Sequence, residues 1–179
     1  ENKSWVPHAK VEKCLLEAND WTILRPGFFS QNLGDAYLQD ILKDNRLYVP
    51  AAQGRVSFID ARDIAAAAVE ILQDPTKHLK QAYTLTGPEA LTFGDVAATL
   101  SAALGRTIRY EPASIPGYMW HLRMCRKLPL MQVLVQTVLH AGLRSGEAAA
   151  VDDTLTKLIH RPARTMKTYI EDNVARWHI

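Results

Sequence analysis

Apolar positions change their period several times along this chain, and those changes divide it into elements. From Pro7 to Asn19, Val11, Leu15 and Ala18 recur at helical spacing, with Pro7 in the first turn, where its missing N–H costs nothing. Trp21-Thr22-Ile23-Leu24 is then apolar or β-branched throughout and stops at Arg25-Pro26-Gly27. Such a run predicts a strand covered on both faces, as in a parallel sheet. Leu33, Ala36, Tyr37 and Ile41 return to the helical period. A second cycle opens with the strand Val56-Ser57-Phe58-Ile59, the turn Asp60-Ala61-Arg62-Asp63 and a helix from Ile64 to Leu72. Asp60 and Asp63 read as caps on the first helical amides.

Gln81 to Thr86 predicts another strand, closed by Gly87-Pro88. Thr92-x-x-Asp95 is a capping box; it opens a helix that runs to Leu104 and stops at Gly105. A short strand follows at Thr107 to Tyr110. From Ile115 the chain is mostly helical, punctuated at Pro129, Gly142, Gly146 and Pro162. Its last helix puts Met166, Tyr169, Ile170, Val174 and Trp177 on one face. The pattern predicts an α/β fold, one unit with a parallel sheet and a mostly helical C-terminal part. Residues 1–112 carry the sheet and 113–179 the helices, in effect one domain.

A strand as apolar as Trp21 to Leu24 needs neighbours on both edges, and few other strands are in sight. Two expectations follow: further strands upstream of Glu1, or a small mixed sheet with antiparallel pairing. At 179 residues and 47% apolar composition the chain can bury one core. Lys and Arg exceed Asp and Glu by 21 − 19 = 2, which gives no electrostatic footprint for nucleic acid or an anionic membrane. Cys14 and Cys125 make no disulfide framework; they read as buried thiols of a cytoplasmic protein. The longest apolar stretch, Leu130 to Leu143, is too short and too interrupted, by Gln132, Gln136, Thr137 and His140, to span a bilayer.

Candidate chemistry is sparse. The nine glycines form no G-x-G and no phosphate loop, so a pyrophosphate cradle is not among these residues. No G-x-S-x-G or H-E-x-x-H occurs, and no metal site or catalytic acid is assigned. His8 and Glu12 share a helix face, as a proton donor with its orienting carboxylate or as a plain surface pair. His121, Arg123, Arg126 and Lys127 read as an anion patch or as a solvated helix face. Arg25-Pro26-Gly27-Phe28-Phe29 stands out, because it follows a buried strand at its carboxyl end, where open α/β sheets bind ligands. Two adjacent phenylalanines there make a flat wall for a nicotinamide or quinone ring, or they seat the next helix in the core.

Five segments in order resemble a known group. They are Pro7-His8-x-x-Val11-Glu12, Trp21 to Leu33 with its central Arg25-Pro26-Gly27-Phe28-Phe29, Val56 to Ala65, Tyr83 to Glu89, and Arg161-Pro162-x-Arg164-Thr165. Together they resemble the NmrA-like, atypical short-chain dehydrogenase/reductase proteins, which include NADPH-dependent quinone and azo reductases and redox-sensing regulators. The resemblance implies NADP(H) or NAD(H) as cofactor. It places Gly27, Phe28 and Phe29 at the nicotinamide, Pro26 shaping their loop, and Asn32 at the border of the substrate pocket. His8 stands where relatives place a lysine that contacts the nicotinamide ribose. The helices after residue 112 would lie on the substrate side.

The family's glycine-rich phosphate-binding segment precedes all five motifs, so the resemblance implies the C-terminal part of a doubly wound, Rossmann-like sheet with its N-terminal half missing. The classical Tyr-x-x-x-Lys pair is absent at the first helix, which favours hydride delivery to a quinone-like acceptor over alcohol dehydrogenation. The alternative is a non-catalytic NAD(P)-sensing regulator that acts through a protein partner. The expected partners are a small-molecule acceptor and either a second copy or the missing half, with no nucleic acid and no membrane.

Overall fold

The computed structural model describes residues 7–178, with side chains from Lys10 onward. Helix α1 (Pro7–Leu16) leads into strand β1 (Thr22–Pro26), which Gly27 separates from the two-residue β2 (Phe28–Phe29). A 3-10 turn at Ser30–Gly34, helix α2 (Leu38–Asp44), β3 (Arg46–Val49), β4 (Arg55–Ile59) and α3 (Ala61–Gln73) follow. Then come β5 (Gln81–Leu85), β6 (Ala90–Thr92), α4 (Phe93–Leu104) and β7 (Arg109–Pro112). The helical region holds α5 (Ile115–Trp120), a π-helical turn at His121–Cys125, α6 (Leu130–Gly142), α7 (Thr154–Ile159) and α8 (Met166–Asp172).

β1 pairs in parallel with β5, from Thr22 opposite Gln81 to Pro26 opposite Leu85. β2 pairs in parallel with β4, and β3 with β7. The β4–β6 pair is antiparallel, so the mixed pairing weighed above is present in one place. Parallel order dominates because helices or long turns separate the paired strands. The helix expected after Phe29 is split into the 3-10 turn and α2. β3 and β6, four and three residues long, have no counterpart in the sequence reading.

β4 sorts its side chains into two cores. Val56 and Phe58 enter the larger one with Leu33, Leu47, Phe93 and Leu100. Ile59 enters a smaller one with Ala67, Leu85, Leu155 and Ile159, between α3 and α7. Tyr118, Val133, Tyr169 and Trp177, all beyond residue 112, join the larger core. The Thr92–Asp95 capping box and the left-handed Gly105 at the end of α4 form as read.

Several expectations fail. Asp60 caps α3 through the Arg62 N–H, but Asp63 does not cap. It is buried and accepts from Arg161 Nη2 at 2.7 Å, from the Arg164 backbone N–H at 2.6 Å, and from the Arg164 guanidinium. One carboxylate thus ties the start of α3 to the Arg161–Thr165 segment. Cys14 and Cys125 are exposed rather than buried, because α1 and the π turn hold both on their outer sides. Val11 and Leu15 on α1 are exposed as well. Among the described residues no helix is long and apolar enough to cross a membrane.

After β5 the chain turns at Gly87, and a Cβ there would lie 1.7 Å from the Phe58 carbonyl oxygen of β4. Glycine is required because two backbones touch. Gly87→Ala should lower the unfolding free energy by about 3 kcal/mol or more, as overpacking against fixed backbone does. Gly105→Ala, left-handed but in open space, should cost about 1 kcal/mol. Urea denaturation of both variants checks the ranking.

Candidate functional site

Gly27 is where one strand changes partners. Its N–H donates to the Leu85 carbonyl of β5 at 2.9 Å. The next two residues pair with β4, Phe28 opposite Phe58 and Phe29 opposite Ile59. Pro26, Gly27 and Phe29 are exposed at this break, at the carboxyl ends of β1 and β5. A crevice at such a point is where open α/β sheets take ligands. Gly27 needs no unusual backbone: a Cβ would meet the Leu85 and Ser57 carbonyls at an ordinary 3.5 Å.

The two phenylalanines divide the roles that the sequence left open. Phe28 is half-buried and meets Phe58, Phe93 and His140 edge-on, with ring centroids 5.6, 6.5 and 5.7 Å away. It seats the turn in the core. Phe29 keeps 39% of its surface exposed and offers the apolar wall. Asn32, half-buried in the 3-10 turn, uses its carbonyl to accept from the Asp35 and Tyr37 N–H groups.

The loop is anchored at both ends. Gln31 donates to Asp60 at 3.0 Å and accepts from the Ala61 N–H at 3.1 Å. Burial pushes the Asp60 carboxyl up, but hydrogen bonds from Arg62 and Gln31 outweigh it and hold the group below its usual value. On the other side Arg25 makes two bonds to Glu12, at 2.9 and 2.6 Å, tethering α1 to the end of β1. His8 lies on the same helix one turn earlier, and its side chain is outside the described residues.

The start of α3 carries its own carboxylates, Asp60 and Asp63, where a phosphate would need free amides. The head of α3 is therefore not a free-amide phosphate site. Among the described residues, no group of three or more His, Cys, Asp or Glu could hold a metal ion.

Two buried polar pairs behind this loop were invisible in the sequence. The Tyr37 hydroxyl lies 2.5 Å from His140 Nε2, and His140 Nδ1 lies 2.7 Å from the Gln136 carbonyl. The carbonyl can only accept, so Nδ1 carries the hydrogen and Nε2 accepts from Tyr37. Burial pushes the Tyr37 hydroxyl well up and His140 down, and both sit away from solvent. The pair is a brace for Phe28 rather than a proton source.

In the second pair His121 Nε2 sits 3.0 Å from buried Asp40, with Arg126 Nη1 at 3.7 Å. The basic cluster is thus divided rather than one anion patch or one solvated face. His121 and Arg126 turn inward to one carboxylate, while Arg123 and Lys127 stay exposed. These partners are 103 and 81 residues apart, and His140 in the sequence merely interrupts an apolar run.

His140 is kept neutral in the fold, with a folded-state value below the unfolded one of about 6.5. The unfolded chain therefore takes the extra proton first as pH falls. Stability from this group should be complete above about pH 6.5 and lost as pH drops through the folded-state value. Urea denaturation from about pH 8 down to about pH 5 should show that slope in the wild type and a flatter one in His140→Gln. Equal slopes would overturn the assignment.

Comparison with known proteins adds a family and a fold. The NmrA-like family matches residues 3–157. An NAD(P)H azoreductase from Xenophilus azovorans is 41% identical over 155 residues, covering 87% of this chain and 53% of that protein. An NADPH-dependent quinone oxidoreductase from Escherichia coli, solved with NADPH, superimposes with a TM-score of 0.83 at 26% identity, over 92% of this chain and 58% of that one. The triphenylmethane reductase of a Citrobacter species, solved with NADP(H), gives 0.80 at 23% identity, over 93% and 60%. The chain spans little more than half the length of these relatives. The overlaps put its fold in the doubly wound, Rossmann-like α/β class.

Proposed function

The chain belongs to the NmrA-like family, and from that premise we propose that it acts in an NAD(P)H-dependent reductase that passes hydride to a small, quinone-like acceptor. The exposed Pro26-Gly27-Phe28-Phe29 turn, set where one strand leaves β5 for β4, carries the reading. The 41% identity to an azoreductase supports a reductase over a regulator that binds cofactor without turnover.

Each residue has a part in this proposal. Phe29 packs the nicotinamide, and Gly27 lets the ring lie close to the backbone. Pro26 fixes the turn, and Phe28 holds it to the core through Phe58, Phe93 and His140. His8 meets the nicotinamide ribose, Asn32 borders the acceptor, and the helices after residue 112 cover it. When bound, the dihydronicotinamide supplies the hydride. The residues from Pro26 to Ser30 carry no titratable side chain, and the proton that completes acceptor reduction comes from solvent or a weak donor. No G-x-G occurs in these 179 residues, so the proposal gives them the nicotinamide and acceptor end alone.

Gly27 offers the sharpest test, made in the protein encoded by the full reading frame. Gly27→Ala, with ordinary contacts at its Cβ, should fold and turn over nearly normally. Gly27→Leu should lower kcat/KM for NADPH with a quinone on the order of a hundredfold, the scale of loss from ring misplacement. Unchanged kinetics in Gly27→Leu would overturn the site. Calorimetric NADPH binding with no NADPH oxidation across quinone and azo acceptors would transfer the proposal to a cofactor sensor.

A further inference from the structure

Helix α6 is inside out. Leu130–Gly142 contains no Asp, Glu, Lys or Arg, and the side it turns to the core bears Thr137 and His140 beside Val133. The side it turns outward bears Leu130, Met131, Leu134, Val135, Val138 and Leu139, each 42–70% exposed. At 3.6 residues per turn those six fall within about half of the helix circumference, as two adjacent rows of spacing four. Gln132 is the exposed polar side chain left on this helix. A face this apolar on a monomer marks a contact surface.

The spacing of the six residues allows a second copy of the same helix to cover it. Reversing the helix about the point between residues 134 and 135 brings Leu130 onto Leu139, Met131 onto Val138 and Leu134 onto Val135. The stripe maps onto itself, which is the requirement for a two-fold contact between identical surfaces. Two such helices crossing antiparallel can interlock their spacing-four rows. None of the six side chains carries a charge.

The exposed fractions correspond to on the order of 500 Å² of apolar surface per copy, against about 800 Å² per partner in a standard interface. Trp120 and Met124, both exposed on the segment that packs against α6, are available to widen the contact. We propose that α6 is the contact helix of a two-fold homodimer, paired antiparallel with its own copy about the point between Leu134 and Val135. The inference is independent of the cofactor reading.

Sedimentation velocity across the micromolar range should find a dimer. Val135→Asp, which puts two carboxylates against each other at the two-fold axis, should weaken association on the order of a hundredfold or more. Its far-UV circular dichroism should match the wild type, since Val135 is exposed in the monomer. Register is read with a short bismaleimide in a Cys14→Ser, Cys125→Ser background. Chains carrying Leu130→Cys should cross-link to chains carrying Leu139→Cys far better than either does to itself. A wild-type monomer, a dimer that survives Val135→Asp, or cross-linking without that preference would each overturn the proposal. So would a wild-type monomer that floats with phosphatidylcholine vesicles, which would assign the face to a lipid surface.

Discussion

Strand β4 is the constraint on which the other parts rest. Five residues long, it is paired on one edge by β2 and on the other by β6. Its side chains feed two separate cores, Val56 and Phe58 on one side and Ile59 on the other. The Phe58 carbonyl is approached so closely by the turn after β5 that nothing larger than Gly87 can stand there. Within a few ångströms this fixes the ends of β2, β4 and β5. The exposed turn at Gly27 lies at that junction, so its geometry is held by backbone contacts that a surface loop alone could not supply. Rigid strands under a short exposed loop are the arrangement that binding sites favour.

From that junction, anchoring spreads outward through charged groups used as struts. Gln31 and Arg62 share Asp60 at the head of α3, and Arg161 and Arg164 share Asp63 one turn further in. Buried carboxylates with several donors contribute less to net stability than their geometry suggests, because desolvation offsets much of the attraction. Their effect is on position. They fix the register between α3, the loop after Phe29 and the segment that leads into α8. The loop that presents Phe29 is thereby coupled to residues more than a hundred positions away.

Legibility in the sequence followed the range of the interaction. β1, β4, β5, the α4 capping box and the Gly105 stop depend on neighbours within a few residues, and the pattern of residues revealed them. The Pro26-to-Phe29 turn was readable because a buried strand ends there. The split between Phe28 and Phe29 was not, since it depends on Phe93 and His140 arriving from far along the chain. β3 is four residues opening with arginine, and its pairing with β7 sets it. Asp63 looked like a cap because turn position is local while its partners are not. Cys14 and Cys125 departed from the usual burial of thiols because the helix faces that carry them have no cover among the described residues.

α6 carries this argument to its end. Amphipathic patterning orients a helix when the apolar residues outnumber the polar on one side alone. Here the larger apolar side chains share one half of the helix and that half faces outward, so the observed rotation runs against the hydrophobic pattern. The polar contacts settle it: His140 is held by Tyr37 and Gln136, and Tyr118 and Phe28 pack against its ring. Rotating α6 to bury its leucines would strand the Tyr37 hydroxyl in the core, at a cost comparable to that of any unsatisfied buried donor. The brace that steadies Phe28 at the candidate site therefore also forces six apolar side chains into the open. One buried hydrogen bond thus links the packing behind Phe28 to the outward face of α6.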